Sequence, residues 1–318
     1  MEESLILVSG YGAPGEEDIA LYRIEADGEV RKVYGMCHGG SPSFCCKGAG
    51  GRIYAASERP DGADITVYEL QKEALKQVGR LNVPGRGLCH LHACGGVIFG
   101  SCYESGDYFA VDAELTKILW TFSRTGAHAH WAYTAGASLY LADLGNDCLY
   151  RFRLSGGLPT GEPEILCQPH GSGPRQILML RDGNLACVNE LDGMLRVLDT
   201  EGKSRAEEPA SGVADKQNWP GGACLDGEGT LYVCNRGPNT LAAWRWEGGG
   251  LSRRQEWLTG DWPRHIAALS GTGFVAAACM RSHEVIGYDC HPDIPVEVFR
   301  FPLAGASCVL ELEMRGFV

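Results

Sequence analysis

The chain has 318 residues with 28 lysines and arginines against 40 aspartates and glutamates, a net charge of −12, and 44% hydrophobic residues. Core material is ample, and the acidity argues against nucleic acid or an anionic membrane surface as the main partner, because both need a basic footprint. A small anion stays admissible where cations cluster, and arginine, suited to planar recognition of carboxylate or phosphate, outnumbers lysine 21 to 7.

The first residues, MEESLILVSGYG, are acidic and pass directly into a strand-like run. They lack the basic start and long apolar core of a signal peptide, and no apolar run approaches the roughly 18 residues that span a bilayer. A cytoplasmic protein is expected. Its fourteen cysteines then read as reduced thiols, mostly buried in apolar runs.

The length admits two ordinary domains or one large single-core fold, and internal repeats decide between them. A small residue or proline precedes a short apolar strand at Pro42, Gly85, Ala129, Pro174, Pro220, Pro263 and Ala306, at intervals of 43, 44, 45, 46, 43 and 43. A period in the forties is that of a four-stranded propeller blade. Each unit continues with a glycine-rich turn, such as ACGG, RDGN or SGTG, then a second apolar strand and a third such as LYRFRL or LAAWRW. A (β/α)8 barrel has a similar period but needs an amphipathic helix in every unit. The one helical candidate, TVYELQKEALKQVGRL, parallels IALYRIEADGEVRKVYG, where Ala26-Asp27-Gly28 signals a turn, so both read as strand-turn-strand.

Three strand-like runs precede the first landmark and one, SCVLELEM, follows the last. Together they complete a seventh blade and remove a free sheet edge. The expectation is all-β: a single seven-bladed β-propeller domain over residues 1–318, with four-stranded antiparallel blades, as a monomer or weak homodimer. The polar stretch Glu201 to Trp219 reads as a loop, either overhanging a pocket or simply solvated.

Within the fourth unit, Asp182-Gly183 marks a tight hairpin, and equal counting outward pairs Arg175 with Glu190. The same counting in the other blades pairs Ser41 with Glu58, Arg86 with Tyr103, His130 with Asp143, Pro220 with Arg236, and Arg264 with Arg281. Five arginines, several carboxylates and a histidine are thereby expected on one rim, a local anion site on an acidic protein. The competing reading, that the arginines cap blade ends by bonding carbonyls, stays open. His128 and His130 form an H-x-H, repeated at His90 and His92, but neither pair has an assignable third ligand, so no metal is expected. General acid or base work suits His130 better.

The segments HAHWAYTAGASLYLADLGNDCLYRFRL, GSGPRQILMLRDGNLACVNELDG, GTLYVCNRGPNTLAAW and WPRHIAALSGTGFVAAACMRSHEVIGYD resemble successive blades of the bacterial lactonase family, most strongly from Ala127 to Asp289. That family includes propeller-type 6-phosphogluconolactonases and the 3-carboxy-cis,cis-muconate lactonising enzyme. The resemblance implies metal-independent, cofactor-free hydrolysis of a small anionic lactone derived from a sugar acid, in a central funnel. It implies a catalytic set of His130, Arg175 from the GPR motif and Glu190 from NEL; Arg236, Arg264, His128, Arg281, Asp143 and Glu58, read from the rim pairing and the H-x-H, are expected around the substrate. Gln176 stands where the family usually has histidine, and several blade turns are shortened. A cycloisomerase of the muconate-lactonising kind and a non-catalytic propeller that binds a partner on the same rim are the alternatives.

Overall fold

A computed structural model describes residues 3–312. It contains seven four-stranded antiparallel sheets and a single helical turn, of the 3-10 kind, at Ala49–Gly51. These are the blades of a seven-bladed β-propeller, which we number one to seven by residues 45–83, 88–123, 129–167, 174–209, 219–258, 263–302, and 306–312 with 4–36. The last blade pairs Ala306–Leu312 with Ser4–Gly10, which continues to Ile19–Ile24 and Val30–Met36. One C-terminal and three N-terminal strands therefore share a sheet, as the ends of the sequence implied. The would-be helix is two strands, Gly62–Gln71 and Ala74–Val83.

Burial follows strand position. Second strands such as Leu185–Asn189, Val97–Cys102 and Val275–Cys279 are buried at every residue. They read as unbroken apolar runs because both sheet faces are covered by neighbours. Outermost strands such as Ser204–Pro209 are largely exposed. That strand lies inside the stretch expected to be a loop: residues 204–209 form the outer strand of blade four, leaving 201–203 and 210–218 outside the strands. Its sequence, SRAEEP, has no apolar face because it buries none.

The described residues group into two compact units. One comprises blades five, six and seven with the turn at 70–75; the other comprises the remainder of blades one to four, residues 44–69 and 76–208. In the second unit, Tyr108, Phe122, Tyr150 and Phe152 interlock between blades two and three, with ring centroids 5.0 to 6.1 Å apart. Gly100 lets the Phe109 ring lie flat across its strand, since a Cβ there would meet the ring at 2.1 Å. All fourteen cysteines are free thiols, eight of them buried.

The hairpin of blade four is one residue looser than counting from Asp182-Gly183 predicts. Leu180 N–H donates to Asn184 O at 2.8 Å and Gly183 N–H to Leu180 O at 3.0 Å, with Gly183 at φ 86°. This is a three-residue connection ending in a left-handed glycine, not a two-residue turn. Met179 accordingly faces Leu185. A second correction follows at the strand's start, where Pro174 pairs with Asn189 but Gln176 with Val188, which leaves Arg175 as the extra residue of a β-bulge. Arg175 and Glu190 are therefore not ladder partners.

The same bulge recurs. It places Cys89, His130, Arg175, Gly221, Arg264 and Ser307 at equivalent points at the start of the first strand in six blades. In five of them the residue just before the bulge is a sequence landmark: Ala129, Pro174, Pro220, Pro263 and Ala306.

Candidate active site

Bulges re-aim side chains, and they are over-represented beside active sites. In the unit of blades one to four, the bulges put His130 and Arg175 side by side. One terminal guanidinium nitrogen of Arg175 lies 2.5 Å from His130 Nε2 and 2.6 Å from Glu190 Oε2. His130 is 4% exposed and Arg175 7%. Glu190 is fixed by its own main chain, whose N–H donates to Gly173 O at 2.8 Å. The loop leading into Arg175 is held from blade three, where Asp147 accepts from Gly171 N–H at 2.7 Å and Gly173 N–H at 2.8 Å.

The electrostatics follow from donor inventory. Guanidinium cannot accept a hydrogen bond, so His130 Nε2 must present its lone pair to Arg175. Protonation there would break that bond and set a second cation against the first. His130 Nε2 thus faces a cation that also bonds a carboxylate.

Tyr103 completes the cluster, although its sequence position marked it only as a partner for Arg86. Its ring stacks on His128 at 4.6 Å and meets His130 edge-on at 6.0 Å. Burial, and then the Glu190 charge, raise its pKa above the usual tyrosine value, so it stays a neutral phenol able to donate. No motif announces Tyr103; only the packing of blade two against blade three does.

Other expected site residues fall elsewhere. Asp143 is fully buried and accepts from His128, Gly145 and Asn146 N–H, from Asn146 Nδ2 and from Tyr150 OH, at 2.9 to 3.1 Å. That occupancy makes it an organiser of the 143–146 turn rather than the substrate contact expected of it. It pairs in the ladder with Ala129, because His130 is bulged out. His128 Nδ1 lies 3.1 Å from Tyr103 O. Glu58 pairs with Ala63 on the next strand, and Ser41 lies outside the ladder, so their expected pairing is absent. His90 and His92 do not form a ligand pair: His90 stacks on Trp131 at 3.5 Å, and His92 Nε2 lies 2.7 Å from Thr134 Oγ1. Burial drives the pKa of His92 down to about 4. Among the described residues, no three histidine, cysteine or acidic side chains cluster as metal ligands do.

In the unit of blades five to seven, Arg236 is 3% exposed and donates to two main-chain carbonyls, Trp219 O at 2.8 Å and Pro220 O at 3.1 Å. It follows the blade-capping reading, not the substrate-binding one. Its ladder partner is Trp219 rather than Pro220. Arg264 lies over the Tyr11 ring at 5.2 Å and Arg281 over the Trp262 ring at 3.4 Å. Arg281 sits beyond the end of its strand, and Pro263 faces Cys279. Gly221 occupies this unit's first bulge because a Cβ there would meet Pro263 O at 2.6 Å.

The family model for the lactonase, 7-bladed beta-propeller family matches residues 5–294. The chain belongs to that lactonase family. Among solved structures, a periplasmic gluconolactonase of Pseudomonas aeruginosa superposes with a TM-score of 0.89 at 19% identity, covering 98% of this chain and 99% of its own. A Bacteroides fragilis protein provisionally assigned as a 6-phosphogluconolactonase gives 0.88 at 19% identity, with 98% of each chain covered. Its counterpart from Bacteroides uniformis gives 0.87 at 19% identity, with 98% and 100% covered. At such identities the likeness is one of fold. No curated protein sequence matches significantly.

Proposed function

We propose that this lactonase hydrolyses a sugar-derived anionic lactone of the 6-phosphogluconolactone kind, with His130, Arg175 and Glu190 as its catalytic residues. The observation that carries this reading is the single Arg175 nitrogen shared between His130 Nε2 and Glu190 Oε2 in a largely buried site. Ester cleavage needs a cation for the developing oxyanion and a base for the attacking water. Arg175 polarises the lactone carbonyl. Glu190, whose side chain is 17% exposed against 8% for Arg175, takes the proton as water oxygen bonds to the carbonyl carbon. The ring carbon–oxygen bond then breaks and that proton passes to the departing ring oxygen, which yields a hydroxy acid. His130 aims the guanidinium and is the second base within reach. Because Arg175 supplies the positive charge, the reading requires no metal.

The fourteen free cysteines favour a reducing compartment, so we place the protein in the cytoplasm, although the Pseudomonas aeruginosa neighbour is periplasmic. No helix among the described residues is long and apolar enough to cross a membrane.

The test is loss of 6-phosphogluconolactone and of gluconolactone over their spontaneous hydrolysis, with and without EDTA. Acceleration that withstands EDTA and falls in His130→Ala, Arg175→Ala and Glu190→Ala is expected. No acceleration on either lactone refutes the substrate class; activity that survives all three substitutions refutes the site.

A further inference from the structure

Cys148 and Cys167 sit opposite each other in the ladder between the third and outer strands of blade three, Cys148–Ser155 and Leu158–Cys167. Among the described residues no other cysteine faces a cysteine across a ladder. Gln168 N–H donates to Asp147 O at 2.8 Å, which makes 147 and 168 a hydrogen-bonded pair and leaves 148 and 167, one step along, as a non-hydrogen-bonded pair. Such pairs bring their Cα atoms to about 4.5 Å with both side chains on one face. That separation lies inside the roughly 4.4 to 6.8 Å that a disulfide spans.

The two thiols differ in access. Cys167 is exposed, so an oxidant reaches it, whereas Cys148 is buried between blades two and three. Burial pushes the Cys148 thiol up to about 11, so it stays protonated and unreactive until a partner sulfur is oxidised beside it.

The surroundings give the pair a consequence. Asp147 directly precedes Cys148, and Gln168 directly follows Cys167. The Asp147 carboxylate accepts from Gly171 N–H at 2.7 Å and Gly173 N–H at 2.8 Å, with His170 Nδ1 3.3 Å away. Residues 168–173 lead from the outer strand of blade three into Pro174 and the bulged Arg175. Their anchorage therefore depends on one strand end staying paired.

We propose that Cys148 and Cys167 are a thiol pair that a peroxide converts to a reversible cross-strand disulfide, stapling residues 168–173 to the turn that carries Asp147. The Cys167 thiolate attacks one peroxide oxygen and the O–O bond breaks, which leaves a sulfenic acid and, once the other oxygen takes up a proton, water. The Cys148 sulfur then attacks the Cys167 sulfur. The S–S bond forms as the S–OH bond breaks, and the hydroxyl leaves as water with the Cys148 proton. Both sulfurs end oxidised, the peroxide is reduced to water, and an external dithiol reverses the step. A cross-link beside the 147–168 bond limits fraying of that strand end, so the anchored loop opens less often.

The test treats the intact reduced protein with hydrogen peroxide, alkylates the remaining thiols and maps disulfide-linked peptides by mass spectrometry. A peptide joining Cys148 to Cys167 within one chain is expected, lost on adding dithiothreitol and absent from Cys167→Ser, an exposed substitution. In Cys148→Ala, Cys167 is expected to stop at a sulfenic acid that dimedone traps. Amide exchange at Gly171 and Gly173 is expected to slow by at least about tenfold when the parent is oxidised, and to stay unchanged in Cys167→Ser. Links between other cysteines in place of this one, a disulfide joining two chains through Cys167, or an oxidised pair whose Gly171 and Gly173 exchange as before each overturns the proposal. None of these readouts uses lactone turnover, so hydrolysis at the proposed site stands or falls separately.

Discussion

Arg175 and Arg236 are almost equally buried, at 7% and 3% exposure, yet they keep opposite company. Arg175 faces an imidazole nitrogen and a carboxylate oxygen, both of which can exchange a proton. Arg236 faces two main-chain carbonyls, which cannot. A bond to a carbonyl is the same at every pH, and no ligand displaces it without opening the start of a strand. A guanidinium held between two bases can transfer its stabilisation to a new oxyanion while a base takes up a proton. On the proposed reading, the partner, rather than the residue type or its depth, separates a chemical arginine from an architectural one.

Truncating each arginine tests that separation, and the larger effect belongs to Arg175. Its alanine variant is expected to lose about 10²- to 10³-fold in kcat on a hydrolysed lactone, roughly 2.7 to 4 kcal/mol of oxyanion stabilisation. Its far-ultraviolet circular dichroism is expected to stay unchanged. Arg236→Ala is expected to do the reverse. It leaves two buried carbonyls without their charged donor and costs about 1.5 to 3 kcal/mol in urea unfolding, with kcat kept within a few fold. If Arg236→Ala abolished turnover at full stability, or Arg175→Ala unfolded the protein while sparing turnover, the distinction would collapse.

The repeat is legible in the sequence because the blades impose it: small or proline residues return every 43 to 46 positions where first strands begin. The GPR and NEL motifs and the H-x-H also single out His130, Arg175 and Glu190, whose side chains meet in the structure. Register was not. A three-residue turn at 181–183 and a bulge at Arg175 each shift the ladder by one, and neither leaves a mark that equal counting detects. Asp143 and Arg236 read as rim residues because sequence shows a charged side chain at a strand end but not how many neutral dipoles already occupy it. Tyr103 escapes for another reason: its role comes from rings brought together by packing, and an aromatic residue in a loop carries no local signal of that.

The smallest expected effect concerns a carboxylate in neutral company like that of Arg236. Glu311, in the closing strand, accepts from Ser4 Oγ, Gly271 N–H, and Ser270 N–H and Oγ, at 2.7 to 3.0 Å. Burial alone would raise its pKa, but the bonds from Gly271, Ser270 and Ser4 outweigh it and bring the pKa below the ordinary value of 4.5. A carboxylate with a lowered folded pKa contributes stability that is fully present above its unfolded pKa and fades as pH falls through the folded one. Glu311→Gln is therefore expected to cost about 1 kcal/mol near pH 7, because an amide nitrogen then faces donors. The deficit is expected to shrink between about pH 5 and pH 3, where the parent loses its carboxylate. Chemical unfolding across that range checks it. A deficit constant with pH would mean that Glu311 acts through its shape alone, and that neutral dipoles hold a half-buried acid here without tuning it.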